Sequence, residues 1–167
     1  MRTLEKIIGQ LIHAVEGILA ILLLLMVLNV SFDVIMRYCF HNSSVAMQEM
    51  EWHFFAVILL LGISAGLKEE AHVRVDFLYE RFSERVKAVI NIVGTLVFLL
   101  PLALLITVGS YSFVHDAWVI GEISEDPGGL PYRWLIKGMI PLSFAFLILT
   151  ALGYLLHNIR RFQEAGR

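Results

Sequence analysis

Charged side chains are scarce in this sequence, because Asp, Glu, Lys and Arg together make up only 17% of its 167 residues. A soluble domain carries roughly a quarter charged residues. Hydrophobic residues reach 58%, and they occur in long runs rather than in the short periodic patches of a soluble core. The composition therefore excludes an ordinary soluble domain and indicates a membrane protein.

Cysteine is almost absent, and Cys39 is the single example. One cysteine cannot form an internal disulfide and is too little for a cysteine-based metal site. The net charge of −2 excludes a strongly basic protein that binds nucleic acid. Neither a phosphate-binding glycine loop nor an HExxH motif is present, so we expect no enzymatic activity, no cofactor and no bound metal.

Four apolar blocks are each long enough to cross a bilayer, which requires about 20 apolar residues per helix. The predicted spans cover about residues 15–36, 50–67, 88–113 and 131–156. With their connections they use nearly the whole chain, so we expect one all-α integral membrane domain. The first block is too long for a signal peptide and lacks a cleavage site after it, so we expect a retained helix that is embedded in lipid with the others.

Two stretches beside the spans have amphipathic patterns. Before the first span, apolar residues recur at helical spacing from Leu4 to Ile12, with charged residues between them. Between the second and third spans, Leu78, Phe82 and Val86 share a helical face opposite charged residues. Both patterns predict short helices that lie at the membrane surface.

Lysine and arginine are distributed unevenly along the chain. Ten of the 13 lie in the N-terminal arm, the middle loop or the C-terminal tail, and three lie in the other two loops. Short cytoplasmic loops of membrane proteins carry the excess of Lys and Arg. We therefore predict that the N-terminus, the middle loop and the C-terminus are cytoplasmic.

Three polar residues of the first span, Asn29, Asp33 and Arg37, are four positions apart and share one helical face. An ionisable group in the membrane costs several kcal/mol unless it is paired. Arg37 is the expected partner of Asp33, and Glu49, across the loop, is also within reach of Arg37. The group fits either an ion or proton site or a neutralised pair that fixes helix packing. A single carboxylate is too few for an ion pathway, so the neutralised pair is preferred.

Glycine and proline mark three places in the spans. Gly62 and Gly66 form a small-xxx-small pattern, which allows close approach of another helix. Pro101 and Pro141 each lie inside a predicted span, where a kink is expected and neighbouring groups must satisfy the freed carbonyl.

Histidines raise the possibility of a haem-bearing membrane anchor of a redox complex. His13 and His157 are predicted near one membrane surface, and His53 and His115 near the other. Axial haem ligation needs two imidazoles at matched depth that face each other. Most of these histidines sit at or beyond span ends, where interfacial histidine is ordinary, so haem is the alternative and not the preferred interpretation.

Three stretches together resemble the small membrane subunit of tripartite ATP-independent periplasmic (TRAP) transporters, the DctQ-like family. The end of span one is similar to that family's D-x-x-x-R-Y-x-F and consists of Asp33-Val-Ile-Met-Arg37-Tyr38-Cys-Phe40. The stretch around span two is similar in its acidic start, leucine-glycine step and charged exit, at Glu49, Leu61-Gly62, Lys68-Glu69 and His72-Val-Arg-Val-Asp76. The opening of span four is similar at Gly129-Leu130-Pro131, Trp134 and Ile140-Pro141. The chain departs from the family at Gln48, because members often have two adjacent acids there.

The resemblance implies a secondary transporter in the bacterial inner membrane. In that family a periplasmic binding protein delivers an organic acid, and a large polytopic subunit that holds the substrate and sodium sites moves it inward. The small subunit is a non-catalytic scaffold that braces the large one. We expect no substrate site in this chain, because its spans lack the broken helix pairs that form such sites.

Two groups of residues are therefore candidates for contacts with partner proteins. The candidates for assembly with the large subunit are Asp33, Arg37, Glu49, Gly62, Gly66, His72, Asp76, Pro131, Trp134 and Pro141. The candidates for docking of the binding protein are Glu122, Glu125 and Asp126 in the acidic loop before span four. A loop that is merely solvated is the alternative for this second group.

Overall fold

The computed structural model describes the backbone of residues 2–68 and 82–165 and the side chains of residues 7–68 and 82–165. These residues form α1 (Arg2–Cys39), α2 (Val45–Lys68), α3 (Glu84–Gly94), a π-helical segment (Thr95–Leu99), α4 (Leu100–Val119) and α5 (Arg133–Glu164). His72, Asp76 and most of the second amphipathic stretch lie outside the described residues.

Four helical stretches are long and apolar enough to cross a membrane: Ile7–Cys39, Val45–Lys68, Glu84–Val119 and Arg133–Glu164. The third stretch runs without interruption through α3, the π-helical segment and α4. The predicted all-α fold with four transmembrane helices is confirmed. The first three helical stretches extend beyond the predicted spans at both ends, whereas the fourth begins two residues later than predicted, at Arg133, and extends only at its C-terminal end.

The first amphipathic stretch is not a separate surface helix, because α1 is continuous from Arg2 to Cys39. Its residues Ile8 and Ile12 are buried, with 6% and 2% of their surface exposed. Ile8 packs on Gly153 of α5, where an added Cβ would lie 3.1 Å from Ile8 Cγ2. Part of the apolar stretch expected to lie in the membrane surface therefore packs against another helix of the same chain, while Ile7 and Leu11 stay exposed.

Helix α5 is the centre of the fold and contacts all the other helices. Of the 18 most apolar consecutive residues in α5, 39% are buried inside the fold. The corresponding share in α1 is 6%. The central cluster of buried residues comes from α2, α4 and α5 and consists of Leu67, Ala103, Leu147, Ala151 and Tyr154. Helix α1 packs along α2 and reaches α5, but it leaves a long apolar face uncovered, which includes Ile18, Ile21, Leu24, Leu28 and Phe32.

The π-helical segment ends at Leu99, two residues before Pro101, where a kink was predicted. The Leu100 N–H donates to the Thr95 carbonyl, five residues back, instead of the usual four. Pro101 has no N–H to donate, and a π turn is one way in which a helix adjusts its ladder of hydrogen bonds. The Thr95 hydroxyl also donates to the Asn91 carbonyl at 2.7 Å.

Polar contacts hold the helices together at the end of the molecule that contains both termini, here called the termini end. The Asn91 side-chain amide donates to Asn158 Oδ1 at 2.9 Å, and both residues are buried. Arg161 Nε donates to Glu84 at 2.7 Å, and Lys68 Nζ donates to Glu16 at 3.2 Å. These contacts connect α3 to α5 and α1 to α2.

Candidate functional site: a loop anchored on Glu49

The connections at residues 40–44 and 120–132 lie at the opposite end, here called the loop end. Glu49, in the second turn of α2, is 5% exposed. Its carboxylate accepts hydrogen bonds from the Ser124 hydroxyl and the Leu130 N–H, both at 2.5 Å. Arg133 Nη2 at the start of α5 lies 3.5 Å from the same carboxylate. Glu49 therefore joins α2 to the long loop and to the first turn of α5.

The loop is folded by its own backbone hydrogen bonds. The Ser124 N–H donates to the Leu130 carbonyl at 3.2 Å, and the Gly129 N–H donates to the Asp126 carbonyl at 3.0 Å. An added Cβ on Gly129 would lie 2.8 Å from Glu49 Oε2 and 2.5 Å from Ser124 Cβ. The absence of a side chain at Gly129 is thus what lets the loop close over the carboxylate.

Two residues next to the anchor have left-handed backbone conformations. Gly128 has φ of +85°, which glycine adopts without steric cost. Tyr132 has φ of +61° directly before α5, and a bulky residue is uncommon in that region. The loop therefore enters α5 through a fixed turn. Pro131, which precedes Tyr132, is exposed.

Asp33 pairs with Arg37, as predicted. Asp33 is 2% exposed, and its Oδ1 has no hydrogen-bond partner among the described residues. The Asn29 side chain donates to the Met47 carbonyl at 2.9 Å and so joins α1 to the start of α2. The predicted reach of Glu49 to Arg37 is wrong, because the Glu49 carboxylate faces the loop before α5 instead.

The three predicted docking acids are not equivalent. Glu122 forms an ion pair with Lys137 of α5, whose ammonium lies 4.1 Å from the centre of the Phe113 ring. Glu125 and Asp126 are exposed. The loop presents two acidic side chains at the surface, whereas Glu122 is engaged within the chain.

Trp134 and Pro141 of α5 line an open groove between α4 and α5. Its other lining residues include Tyr111, His115 and Trp118, and the His115 ring stacks on Tyr111 with 5.8 Å between the ring centres. The groove is largely apolar, which suits contact with lipid or with an apolar helix.

Gly62 and Gly66 have open space beside them. An added Cβ at either position would meet no atom of another part of the chain within 4 Å, so this face is not used for packing inside the described fold. Residues 62–66 also match the spacing G-x-S-x-G. Ser64 lies inside the continuous helix α2 and is fully buried, unlike the exposed strand-to-helix turn of a nucleophile elbow.

The four histidines considered for haem lie in separate settings. The side chain of His13 is 85% exposed and lies 3.2 Å from Glu16, whereas His157 lines a cavity between α1, α2 and α5. His53 Nδ1 lies 2.6 Å from the Glu49 carbonyl. Among the described residues, no group of three or more His, Cys, Asp or Glu side chains is placed to hold a metal ion.

Four long apolar helices, with ionic groups at the two ends, define a multi-pass integral membrane protein. Residues 26–161 match the family described as tripartite ATP-independent periplasmic transporters, DctQ component. The chain belongs to this family, and it is a multi-pass protein of the bacterial inner membrane. The resemblance seen in the sequence is confirmed.

Curated relatives agree with the family match. The chain is 31% identical to the C4-dicarboxylate TRAP transporter small permease protein DctQ of Pseudomonas aeruginosa, over 71% of this chain and 59% of that protein. It is 28% identical to the protein of the same name in Vibrio cholerae, over 84% of this chain and 71% of that one. It is also 24% identical to the sialic acid TRAP transporter permease protein SiaT of Haemophilus influenzae, over 69% of this chain but 19% of that longer protein.

Proposed function

We propose that this chain is the small, non-catalytic scaffold subunit of a sodium-coupled, binding-protein-dependent TRAP transporter that imports an organic acid. A large polytopic subunit would carry the substrate and sodium sites, and a periplasmic binding protein would deliver the substrate. The family match supports this proposal, as do relatives named for C4-dicarboxylate and sialic acid. In SiaT the matching segment is 19% of a longer permease, which supports the need for a much larger partner.

The observation that carries the scaffold role is the distribution of burial. Helix α5 is packed on by all the other helices, while α1 keeps a long apolar face uncovered. A scaffold needs a firm internal frame and an apolar face for a partner. Polar groups that face one another between broken helices form the substrate sites of many transporters. Each of the four described stretches that are long enough to cross a membrane is instead an unbroken helix.

Reconstitution tests this proposal directly. The chain is produced with the large permease and the binding protein of the same system, and uptake of a labelled C4-dicarboxylate and of sialic acid is measured in vesicles with and without an inward sodium gradient. We expect a colourless complex in which uptake needs this chain and the gradient. Full uptake without the chain contradicts the scaffold role, and a Soret absorption band favours the haem-bearing anchor.

The proposed orientation places the termini end in the cytoplasm and the loop end in the periplasm. Cys39 supports a simple test, because it is the only cysteine and is exposed at the loop end. A membrane-impermeant maleimide should label Cys39 in intact spheroplasts. The matched control is Cys39→Ser with Gln163→Cys, which moves the thiol to the termini end and should prevent labelling until the membrane is opened. The reverse pattern contradicts the orientation.

Docking of the binding protein is proposed for the exposed acids Glu125 and Asp126. The Glu49 anchor supports this role, because a surface held in one conformation loses less entropy on binding. The double change Glu125→Lys with Asp126→Lys should lower uptake at limiting binding protein, and excess binding protein should restore it in part. Unchanged uptake at both concentrations would favour a loop that is only solvated.

A further inference from the structure

A cavity at the termini end has no role in the proposed scaffold. It has a volume of about 250 Å³ and lies between the start of α1, the end of α2 and the second half of α5. The residues around it include Ile8, Gly9, Ile12, Lys68, Tyr154 and His157. The cavity combines an apolar interior with a basic mouth.

The interior is apolar because two residues of α1 face it. Ile8 and Ile12 are both buried and form one wall. Gly9 leaves the space between them open, since an added Cβ there would meet no atom of another part of the chain within 4 Å. This space is suited to hydrocarbon, because filling it with water would leave apolar walls hydrated.

The mouth is lined by two basic side chains, Lys68 from the end of α2 and His157 from α5. Lys68, the last residue of α2, is held at the opening by Glu16 at 3.2 Å. His157, which lines the same cavity, is exposed, and Arg160 lies about one helical turn further along α5. Basic pockets between transmembrane helices at a membrane surface are suited to acidic lipid head groups.

We propose that this cavity binds an anionic phospholipid, with the phosphate diester at Lys68 and His157 and the start of an acyl chain between Ile8 and Ile12. Free phosphate would satisfy the basic mouth but leave the apolar interior empty. A lipid with no net charge would fill the interior but gain less at the mouth. The site therefore needs both parts of one molecule.

Thermal unfolding of the full chain in a neutral detergent tests the proposal. The unfolding midpoint is measured during titration with dioleoyl phosphatidylglycerol, dioleoyl phosphatidylcholine or inorganic phosphate. We expect phosphatidylglycerol to raise the midpoint at a concentration about fivefold lower than phosphatidylcholine, as expected for one basic residue near a membrane surface. Inorganic phosphate should have no effect. Equal responses to the two lipids, or a response to phosphate alone, would overturn the proposal.

Two glycine variants test where the lipid binds. Gly9→Leu places a side chain in the cavity and should abolish the preference for phosphatidylglycerol. Gly17→Leu is the matched control, because Gly17 lies on the same helix, has equally open surroundings and does not line the cavity. Retention of the preference in Gly9→Leu, or its loss in both variants, would contradict binding at this cavity.

Two charge variants separate lipid binding from a purely structural role of Lys68. If Lys68 only holds Glu16, then Lys68→Gln and Glu16→Gln should change the response to lipid in the same direction. If Lys68 binds the phosphate, Lys68→Gln should weaken the response to phosphatidylglycerol about fivefold. Glu16→Gln should then preserve or strengthen it, because a competing carboxylate is removed. Parallel effects of the two variants would refute the proposal.

Discussion

Replacing Glu49 with alanine should detach the loop before α5 from α2. The buried carboxylate accepts two short hydrogen bonds, from Ser124 and Leu130, and lies 3.5 Å from the Arg133 guanidinium. Alanine removes all three interactions and leaves a small void. It also leaves Arg133, whose side chain is only 28% exposed, without this carboxylate.

The expected cost follows from these contacts. Breaking a buried ion pair by removing one partner costs about 3–5 kcal/mol. The distance to Arg133 is long and its side chain is partly exposed, so the lower value, about 3 kcal/mol, is expected for Glu49→Ala. Glu49→Gln keeps the volume, and its amide oxygen can still accept from the Leu130 N–H while Ser124 reorients. The loss is then mainly the charge, at about 1.5 kcal/mol.

The measurement combines stability with a local reporter. Equilibrium unfolding in mixed detergent micelles gives the free energy of unfolding, and hydrogen exchange of the Leu130 amide reports whether the loop is docked. Glu51→Gln is the control, because Glu51 lies two residues after Glu49 in α2 and makes none of the contacts that Glu49 makes with the loop before α5. It should change stability by less than about 0.5 kcal/mol.

The relative stability costs of the three variants test whether the Glu49 carboxylate holds the loop. Alanine should cost more than glutamine, both should cost more than the control, and faster exchange of the Leu130 amide should accompany the loss of stability. If Glu49→Ala leaves Leu130 exchange unchanged, or if it costs no more than Glu51→Gln, the carboxylate does not hold the loop and the reasoning is wrong.

Three further predictions test other contacts of the fold. Gly129→Ala should destabilise the loop by about 1–3 kcal/mol, as overpacking does, and speed exchange of the Leu130 amide; Gly128→Ala, which strains φ without touching Glu49, separates the two causes. Asn158→Leu should lower the free energy of unfolding by about 0.6–1.7 kcal/mol, the range for hydrogen bonds between membrane helices; an effect that persists undiminished in an Asn91→Leu background would show that the two side chains are not coupled. Arg37→Ala should lower recovery of the complex with the large permease, because the buried Asp33 then lacks its cation; unchanged yield and uptake would show that the pair is dispensable for assembly.

Much of the fold was predictable because lipid imposes a simple rule. Backbone polar groups in hydrocarbon must be satisfied within the segment, so four long apolar runs had to become four helices. The Asp33–Arg37 pair was equally predictable, since positions four apart in a helix are neighbours. Pro101 indicated where the helix departs from regular α geometry, although the residues around it did not predict that the departure is a π-helical segment.

The position of the functional loop could not be predicted in the same way. Glu49 and its partner Leu130 are 81 residues apart, and nothing local indicates whether a carboxylate at the start of a span faces Arg37 or a distant loop. The signal that could have indicated the contact was the short segment Gly129-Leu130-Pro131, which follows the acidic part of the loop.

The N-terminal amphipathic pattern shows the same limit. Periodicity predicted a helix with one apolar face, and the structure contains that helix. Whether Ile8 lies in lipid or against Gly153 depends on how α1 tilts past α5, which the pattern does not encode. The same packing creates the cavity beside Gly9.

By itself, the sequence determined that the helices lie in lipid, how many of them cross the membrane, and that Asp33 pairs with Arg37, because each of these depends on composition or on spacing within a single helix. The tertiary structure decided which helix is central, which acid anchors the loop and where a cavity remains. Those features depend on contacts between residues far apart in the chain, and their energies exist only once the helices have packed.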